Sequence, residues 1–129
     1  LEEDGWELSV VPVDRYGQVN PDDIANAIRE DTVLVSIMHA NNEVGTIQPI
    51  EKISKITKHH GVLLHTDAAQ SLGKILVNVD ILGIDLLTLA GHKFYARKGV
   101  GALYVRKGTP IMPLLVGAGH EQGLRPGTE

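Results

Sequence analysis

The sequence predicts an α/β fold, a mainly parallel β-sheet with helices on both of its faces. Apolar runs of strand length alternate along the chain with segments of helical periodicity. The run at residues 32–40 is almost continuously apolar, as is typical of strands covered on both faces, and residues 62–68 predict the next buried strand. The length of 129 residues, with 43 % hydrophobic and 22 % charged residues, fits one globular domain or part of one.

The first half of the chain contains two predicted strands and one predicted helix. Residues 6–13 have strand character. Residues 16–31 predict a helix whose start is marked by Asn20 as the N-cap and Pro21 at the first helical position. The apolar run at residues 32–40 is the next predicted strand, and a polar loop follows it.

The second half repeats this alternation. Residues 49–61 predict a helix, because isoleucines recur on one face, lysines lie away from it, and Gly61 is a suitable C-terminal cap. Residues 62–68 predict a buried strand, followed by a turn-rich link. Two further strands are predicted at residues 85–91 and 101–107. Strand, helix and strand in this order indicate crossover connections between parallel strands.

Composition excludes several classes of function. The net charge of -4 and the absence of a basic run argue against nucleic acid or an anionic membrane as the partner. There is no cysteine, so neither a disulfide nor a thiolate metal site is possible within these residues. No apolar stretch approaches the roughly 20 residues of a membrane span. We expect a cytoplasmic protein, with an organelle not excluded, and the start at Leu1 suggests a piece of a longer protein.

Polar residues interrupt the apolar pattern at the ends of three predicted strands. These ends are His39 to Asn42, His65 to Gln70 and Gly91 to Lys93. In open α/β sheets the ligand site lies beyond the carboxyl ends of the strands, so the three segments can converge. Taken alone, Asp67 is as readily a helix cap, and Lys93 is more simply a solvated strand end. Together the three ends favour a functional site.

An aspartate, an amide and a lysine together suit pyridoxal phosphate. The lysine amine reacts with the aldehyde of the cofactor, and the aspartate keeps the pyridine nitrogen protonated so that the ring accepts electrons. An amide near the ring hydroxyl orients the ring. Lys93 is the best-placed lysine, because it follows a buried strand and Gly91, a glycine that allows the backbone to approach a ligand.

Four segments resemble one known family. HANNEVGTIQ, HTDAAQSLGK, GHKFYARKGVGALYVR and GHEQGLRPGTE are similar to the NifS-like cysteine desulfurases and selenocysteine lyases, class V of the pyridoxal phosphate enzymes. The resemblance runs from about Trp6 to Glu129. It implies the aspartate aminotransferase type of fold (fold type I), with residues 1–129 forming the central and later part of the cofactor-binding large domain. An N-terminal segment and a C-terminal small domain would be absent.

The resemblance also implies roles for individual residues. Lys93 matches the catalytic lysine that bonds to the cofactor, and Asp67 matches the partner of the pyridine nitrogen. The other matched cofactor-binding residues are two amides near the ring hydroxyl, one residue beside the phosphate, and one threonine that reaches the phosphate of the neighbouring subunit: Asn42, Gln70, His92 and Thr128. The threonine implies a homodimer. Ala90 departs from the family, which commonly has a serine or threonine there that contacts the phosphate.

The implied activity is cysteine desulfurase, which converts L-cysteine to L-alanine and passes sulfur through an enzyme persulfide to an acceptor protein, as in iron–sulfur cluster assembly. The related selenocysteine lyase activity on L-selenocysteine is equally compatible. The persulfide-forming cysteine is not in these residues, so we expect the chain alone to be inactive. Two alternatives stay open: another class V enzyme, such as an aminotransferase or a kynureninase-like enzyme, and a non-catalytic scaffold fragment.

Three histidines, His59, His60 and His65, are interpreted as mainly structural, and no metal site is predicted. His59 and His60 close the predicted helix, where cationic side chains suit the negative end of the helix dipole. His65 lies two residues before Asp67 on the same side of its strand, where packing under the site is favoured over catalysis.

Overall fold

The computed structural model describes residues 2–127, and its centre is a four-stranded sheet. The strands are β1 (Leu34–Met38), β2 (Leu63–Asp67), β3 (Leu86–Ala90) and β4 (Gly101–Val105), in the spatial order β1-β2-β3-β4. β1, β2 and β3 are parallel, whereas β4 runs antiparallel to β3. The predicted class, an α/β fold with a mainly parallel sheet, is confirmed.

Within residues 2–127, three α-helices and three short 3-10 turns accompany the sheet. The helices are α1 (Pro21–Ala27), α2 (Ile50–His60) and α3 (Val79–Leu82). The 3-10 turns span Glu2–Asp4, Gly91–Lys93 and Glu121–Gly123. α2 connects β1 to β2, and α3 connects β2 to β3. Among residues 2–127, no helix has the length and apolarity needed to cross a membrane.

The ends of the two longer helices follow the signals in the sequence. The Asn20 side chain accepts a hydrogen bond from the backbone N–H of Asp22, and Pro21 is the first residue of α1. α1 ends at Ala27, earlier than the predicted segment. α2 ends at His60, and the capping residue Gly61 adopts the left-handed conformation with a φ of 68°. A residue with a Cβ atom is disfavoured there, so glycine stops the helix at this point.

α3 was not predicted, because a helix of one turn is too short to show hydrophobic periodicity. Its capping signals are nevertheless present in the sequence. The Asn78 side chain accepts hydrogen bonds from the N–H groups of Asp80 and Ile81, and Gly83 ends the helix in the left-handed conformation.

The predicted strand at residues 6–13 is wrong. The segment belongs to no strand of the sheet, and its one β-bridge joins Val13 to Val19. Trp6 is 53 % exposed and Val10 is 84 % exposed. Strand propensity is realised only where a neighbouring strand offers hydrogen bonds and packing, and no strand in residues 2–127 lies beside this segment.

The hydrophobic core lies on one face of the sheet. Apolar side chains of β1, β2 and β3 meet apolar side chains from all three helices in one cluster, which includes Val35, Leu64, Leu87, Ile24, Ile50, Ile53 and Val79. Because side chains alternate along a strand, Ser36 and His65 face the opposite side. The sequence predicted helices on both faces of the sheet. Within residues 2–127, the three helices pack on one face only.

Arg106 joins the end of β4 to the connection between α3 and β3. Its guanidinium group donates hydrogen bonds to the carbonyl oxygens of Ile84 and Val79, each at 2.8 Å, and to the Asp80 carboxylate at 2.9 Å. The bond to Asp80 raises the pKa of Arg106. The planar fork of an arginine matches three acceptors that a single ammonium group cannot reach together.

We expect Arg106→Met to destabilise the protein by about 2 kcal/mol, because the Ile84 carbonyl loses the guanidinium donor and the Val79 carbonyl keeps only its two backbone donors. Urea unfolding checks this value. Arg106→Lys keeps the charge and should recover only part of the loss. Arg29→Met is the matched control, since Arg29 pairs with Glu7 and Asp31 at an exposed position. An equal loss in both methionine variants would contradict the role given to Arg106.

Candidate cofactor site at the strand ends

The candidate site lies where β1, β2 and β3 end. Met38 is in register with Asp67, and Asp67 is in register with Thr88, so neighbouring strands end at nearly the same level. The N–H of His39 donates to the Asp67 carbonyl at 2.8 Å, and the N–H of Ala68 donates to the Thr88 carbonyl at 2.9 Å. The Asp67 backbone is therefore fixed by both neighbouring strands.

The Asp67 carboxylate has one engaged oxygen and one open oxygen. Oδ1 accepts a hydrogen bond from the N–H of Ala69 at 2.8 Å, which orients the carboxylate over the turn after β2. Oδ2 has no hydrogen-bond partner within residues 2–127, and the residue is exposed. A negatively charged oxygen is thus available to a cationic or N–H-bearing ligand.

Lys93 lies in the 3-10 turn that follows β3, and Gly91 makes this turn possible. The N–H of Gly91 donates to the Val100 carbonyl at 2.8 Å, and a Cβ atom at Gly91 would lie 2.9 Å from that oxygen. The sequence suggested that this glycine allows approach to a ligand; in the structure it allows approach to the chain entering β4. His92 and Lys93 follow as exposed residues, and Lys93 has no ion-pair partner in the described part of the chain.

The two predicted amide residues lie in the loops after β1 and β2. Asn42 is exposed, and its neighbour Asn41 shapes the loop by accepting hydrogen bonds from two backbone N–H groups. Gln70 is half-buried, and its Oε1 accepts a hydrogen bond from Lys74 at 3.1 Å. Thr128 lies outside the described residues.

Two residues without a predicted role lie directly behind the site. His39 is 3 % exposed and Ser71 is 1 % exposed, and the distance from His39 Nδ1 to Ser71 Oγ is 2.9 Å. Burial lowers the pKa of His39. In the sequence, His39 is visible as a histidine at the end of an apolar run. Its partner Ser71 lies 32 residues further along the chain, so spacing alone does not predict the pair.

His65 is hydrogen-bonded across the sheet and does more than fill space. Its Nδ1 lies 2.7 Å from Ser36 Oγ, and its Nε2 lies 3.3 Å from Thr88 Oγ1. These three side chains form a row across β1, β2 and β3 on the face that also carries Asp67. Burial lowers the pKa of His65, and the Asp67 charge opposes this effect less strongly.

The donor set fits pyridoxal phosphate by its chemistry. A primary amine suits the aldehyde, a carboxylate with an open oxygen suits a protonated pyridine nitrogen, and amide groups suit the ring hydroxyl. Lys93, Asp67 and Asn42 supply these groups at the ends of adjacent strands or directly after them. Within residues 2–127, no group of three or more histidine, aspartate or glutamate side chains is arranged to hold a metal ion.

The lowered pKa of His65 predicts a pH-dependent stability. The unfolded chain binds a proton near the ordinary pKa of 6.5, whereas the folded protein resists protonation. The contribution of His65 is therefore fully present above pH 6.5 and is lost as the pH falls toward the lower, folded pKa. Urea unfolding across this range should show a smaller acid-side loss for His65→Gln than for the unmutated protein. Identical pH profiles would contradict the prediction.

Comparison with known proteins finds relatives and solved structures that are similar over nearly the whole chain. A cysteine desulfurase IscS of Dictyoglomus turgidum is 58 % identical over 129 residues, which is 100 % of this chain and 33 % of the relative. A solved structure described as SspA in complex with cysteine has a TM-score of 0.95 and 44 % identity, covering 99 % of this chain and 38 % of that one. A solved NifS-like protein has a TM-score of 0.94 and 47 % identity, with 99 % and 36 % covered.

The chain spans about a third of the length of these proteins. The profile of the family described as Aminotransferase class-V matches residues 1–124, nearly the whole chain. The match includes every predicted site residue except Thr128. This chain belongs to the class-V aminotransferase family.

Proposed function

We propose that these residues form the central part of the large domain of a pyridoxal phosphate-dependent cysteine desulfurase. The observation that carries the proposal is the placement of Asp67 at the end of β2 and of Lys93 after the adjacent parallel strand β3. Among residues 2–127, neither Asp67 Oδ2 nor the Lys93 amine has a partner. Three similar proteins support this activity: a relative named cysteine desulfurase at 58 % identity, a solved NifS-like protein at 47 %, and a solved SspA in complex with cysteine at 44 %.

Five residues of this chain would hold the cofactor. Asp67 Oδ2 would pair with the ring nitrogen, Asn42 and Gln70 would lie near the ring hydroxyl, and His92 would lie beside the phosphate. Lys93 would form the covalent link. When bound, pyridoxal phosphate supplies an electron-accepting ring that stabilises negative charge on the substrate α-carbon.

Each residue then has a defined task in the reaction. The free amine of Lys93 would take the proton from the α-carbon of L-cysteine. The Asp67 carboxylate would hold a positive charge at the ring nitrogen. In the turn after β2, the N–H of Ala69 donates to this carboxylate and orients it. The position of the negative charge is therefore fixed.

The rest of the reaction lies beyond these residues. Sulfur from L-cysteine would pass to a cysteine that this chain does not contain, and from there to an acceptor protein, while L-alanine is released. L-selenocysteine fits the same chemistry. We also propose a homodimer in which Thr128 reaches the phosphate of the partner subunit, acting in the cytoplasm or in an organelle.

Borohydride reduction of the cofactor-loaded, full-length enzyme should fix the pyridoxyl group on the peptide that contains Lys93. Peptide mass spectrometry locates the label. Lys93→Ala should remove the label and the visible absorbance of the bound cofactor, because no other amine follows β3 at this position. Lys74 and Lys98 serve as internal controls, and label on either of them with Lys93 unmodified would refute the assignment.

Asp67→Asn should leave cofactor binding largely intact but reduce turnover by several orders of magnitude, because an amide cannot hold a positive charge at the ring nitrogen. Asp14→Asn is a matched control: Asp14 also accepts a hydrogen bond from the N–H two residues ahead, in a turn far along the chain from the site. Steady-state alanine production checks both variants. Turnover of Asp67→Asn within threefold of the unmutated enzyme would exclude the role.

A further inference from the structure

We propose that His39 is a positioning residue that holds three segments at a fixed spacing. These segments are the loop that carries Asn42, the end of β2 at Asp67, and the turn that carries Gln70. The inference rests on the proposed function for the identity of the ligand. It rests on the geometry of His39 itself for the positioning role.

The backbone of His39 connects two of these segments, the end of β2 and the loop after β1. Its N–H donates to the Asp67 carbonyl at 2.8 Å, and its own carbonyl accepts from the N–H of Gln48 at 2.9 Å. The second bond, together with the bond from Asn41 N–H to the Thr46 carbonyl, closes the loop that carries Asn42. One residue therefore fixes both the end of β2 and the base of the loop after β1.

The side chain of His39 binds the third segment, the turn after β2. Ser71 Oγ is hydrogen-bonded to the Ala68 carbonyl at 3.3 Å and to His39 Nδ1 at 2.9 Å. Burial lowers the pKa of His39, which favours the neutral imidazole. Through this bond His39 reaches the far end of the turn after β2, with Gln70 between its two contacts.

A merely structural role explains this pair poorly. An apolar side chain at His39 would fill the same buried space without the cost of desolvating an imidazole and a hydroxyl. A satisfied buried polar pair, by contrast, selects one arrangement of the segments that it joins. That selection matters where ligand groups must be placed within a fraction of an ångström.

The test uses the full-length enzyme and four variants. Ser71→Ala and His39→Leu remove the hydrogen bond, whereas His39→Asn keeps an N–H donor for Ser71. Thr57→Val is the matched control, because Thr57 is also fully buried and its hydroxyl donates to a backbone carbonyl, that of Ser54, at 3.2 Å. The readouts are the dissociation constant of pyridoxal phosphate for the apoenzyme, the visible spectrum of the bound cofactor, and the unfolding temperature.

We expect Ser71→Ala and His39→Leu to weaken cofactor binding about tenfold and to change its spectrum, since small displacements of site groups have large effects. His39→Asn and Thr57→Val should stay within about twofold of the unmutated enzyme, with an unchanged spectrum. Unchanged binding and spectrum in Ser71→Ala, with the unmutated enzyme binding normally, would overturn the positioning role alone. An unmutated enzyme that binds no pyridoxal phosphate would overturn the proposed function and this inference together.

Discussion

The parallel register of β1, β2 and β3 is the constraint on which the candidate site depends. It brings Met38, Asp67 and Thr88 to the same level, so the polar segments that follow the three strands share one edge. A shift of one residue in the middle strand would exchange its two faces and turn Asp67 into the core. Packing of Leu64 opposes such a shift, because this residue is fully buried on the face that meets the helices. The core therefore also determines which way the carboxylate points.

The turn that carries Lys93 is held from the far side of the sheet by β4. The bond from Gly91 to Val100 fixes the start of the turn against the chain entering β4. At the other end of that strand, the Arg106 guanidinium fixes β4 to the connection between α3 and β3. An antiparallel edge strand thus clamps both ends of β3. This arrangement gives the exposed lysine a rigid backbone without any bond to its side chain.

The sequence predicted the features that depend on local chemistry. Apolar runs located the four strands to within about two residues. Asn20 predicted a helix start and Gly61 a helix end, because helix caps depend on hydrogen bonds and backbone conformations within a few residues. It failed where the deciding partner is distant. Residues 6–13 have the composition of a strand but no neighbouring strand in the described part of the chain. The pairing of His39 with Ser71, and of His65 with Ser36 and Thr88, depends on strand register, which no spacing along the chain reveals.

The distribution of satisfied and unsatisfied polar groups separates structure from function. Within residues 2–127, every fully buried side-chain nitrogen or oxygen atom has a hydrogen-bond partner. His39 illustrates this, since its buried Nδ1 is satisfied by Ser71. An unpaired charge at a protein surface is common and says little by itself. In the described part of the chain, Asp67 at the end of β2 has an unpaired carboxylate oxygen, and Lys93 after β3 has an unpaired amine. The backbones of these two strands are fixed by hydrogen bonds to the strands beside them. An amine and a carboxylate are thus presented at one edge of the sheet, on backbones held by hydrogen bonds. This arrangement suits a ligand that has one group to bind the amine and another to donate to the carboxylate.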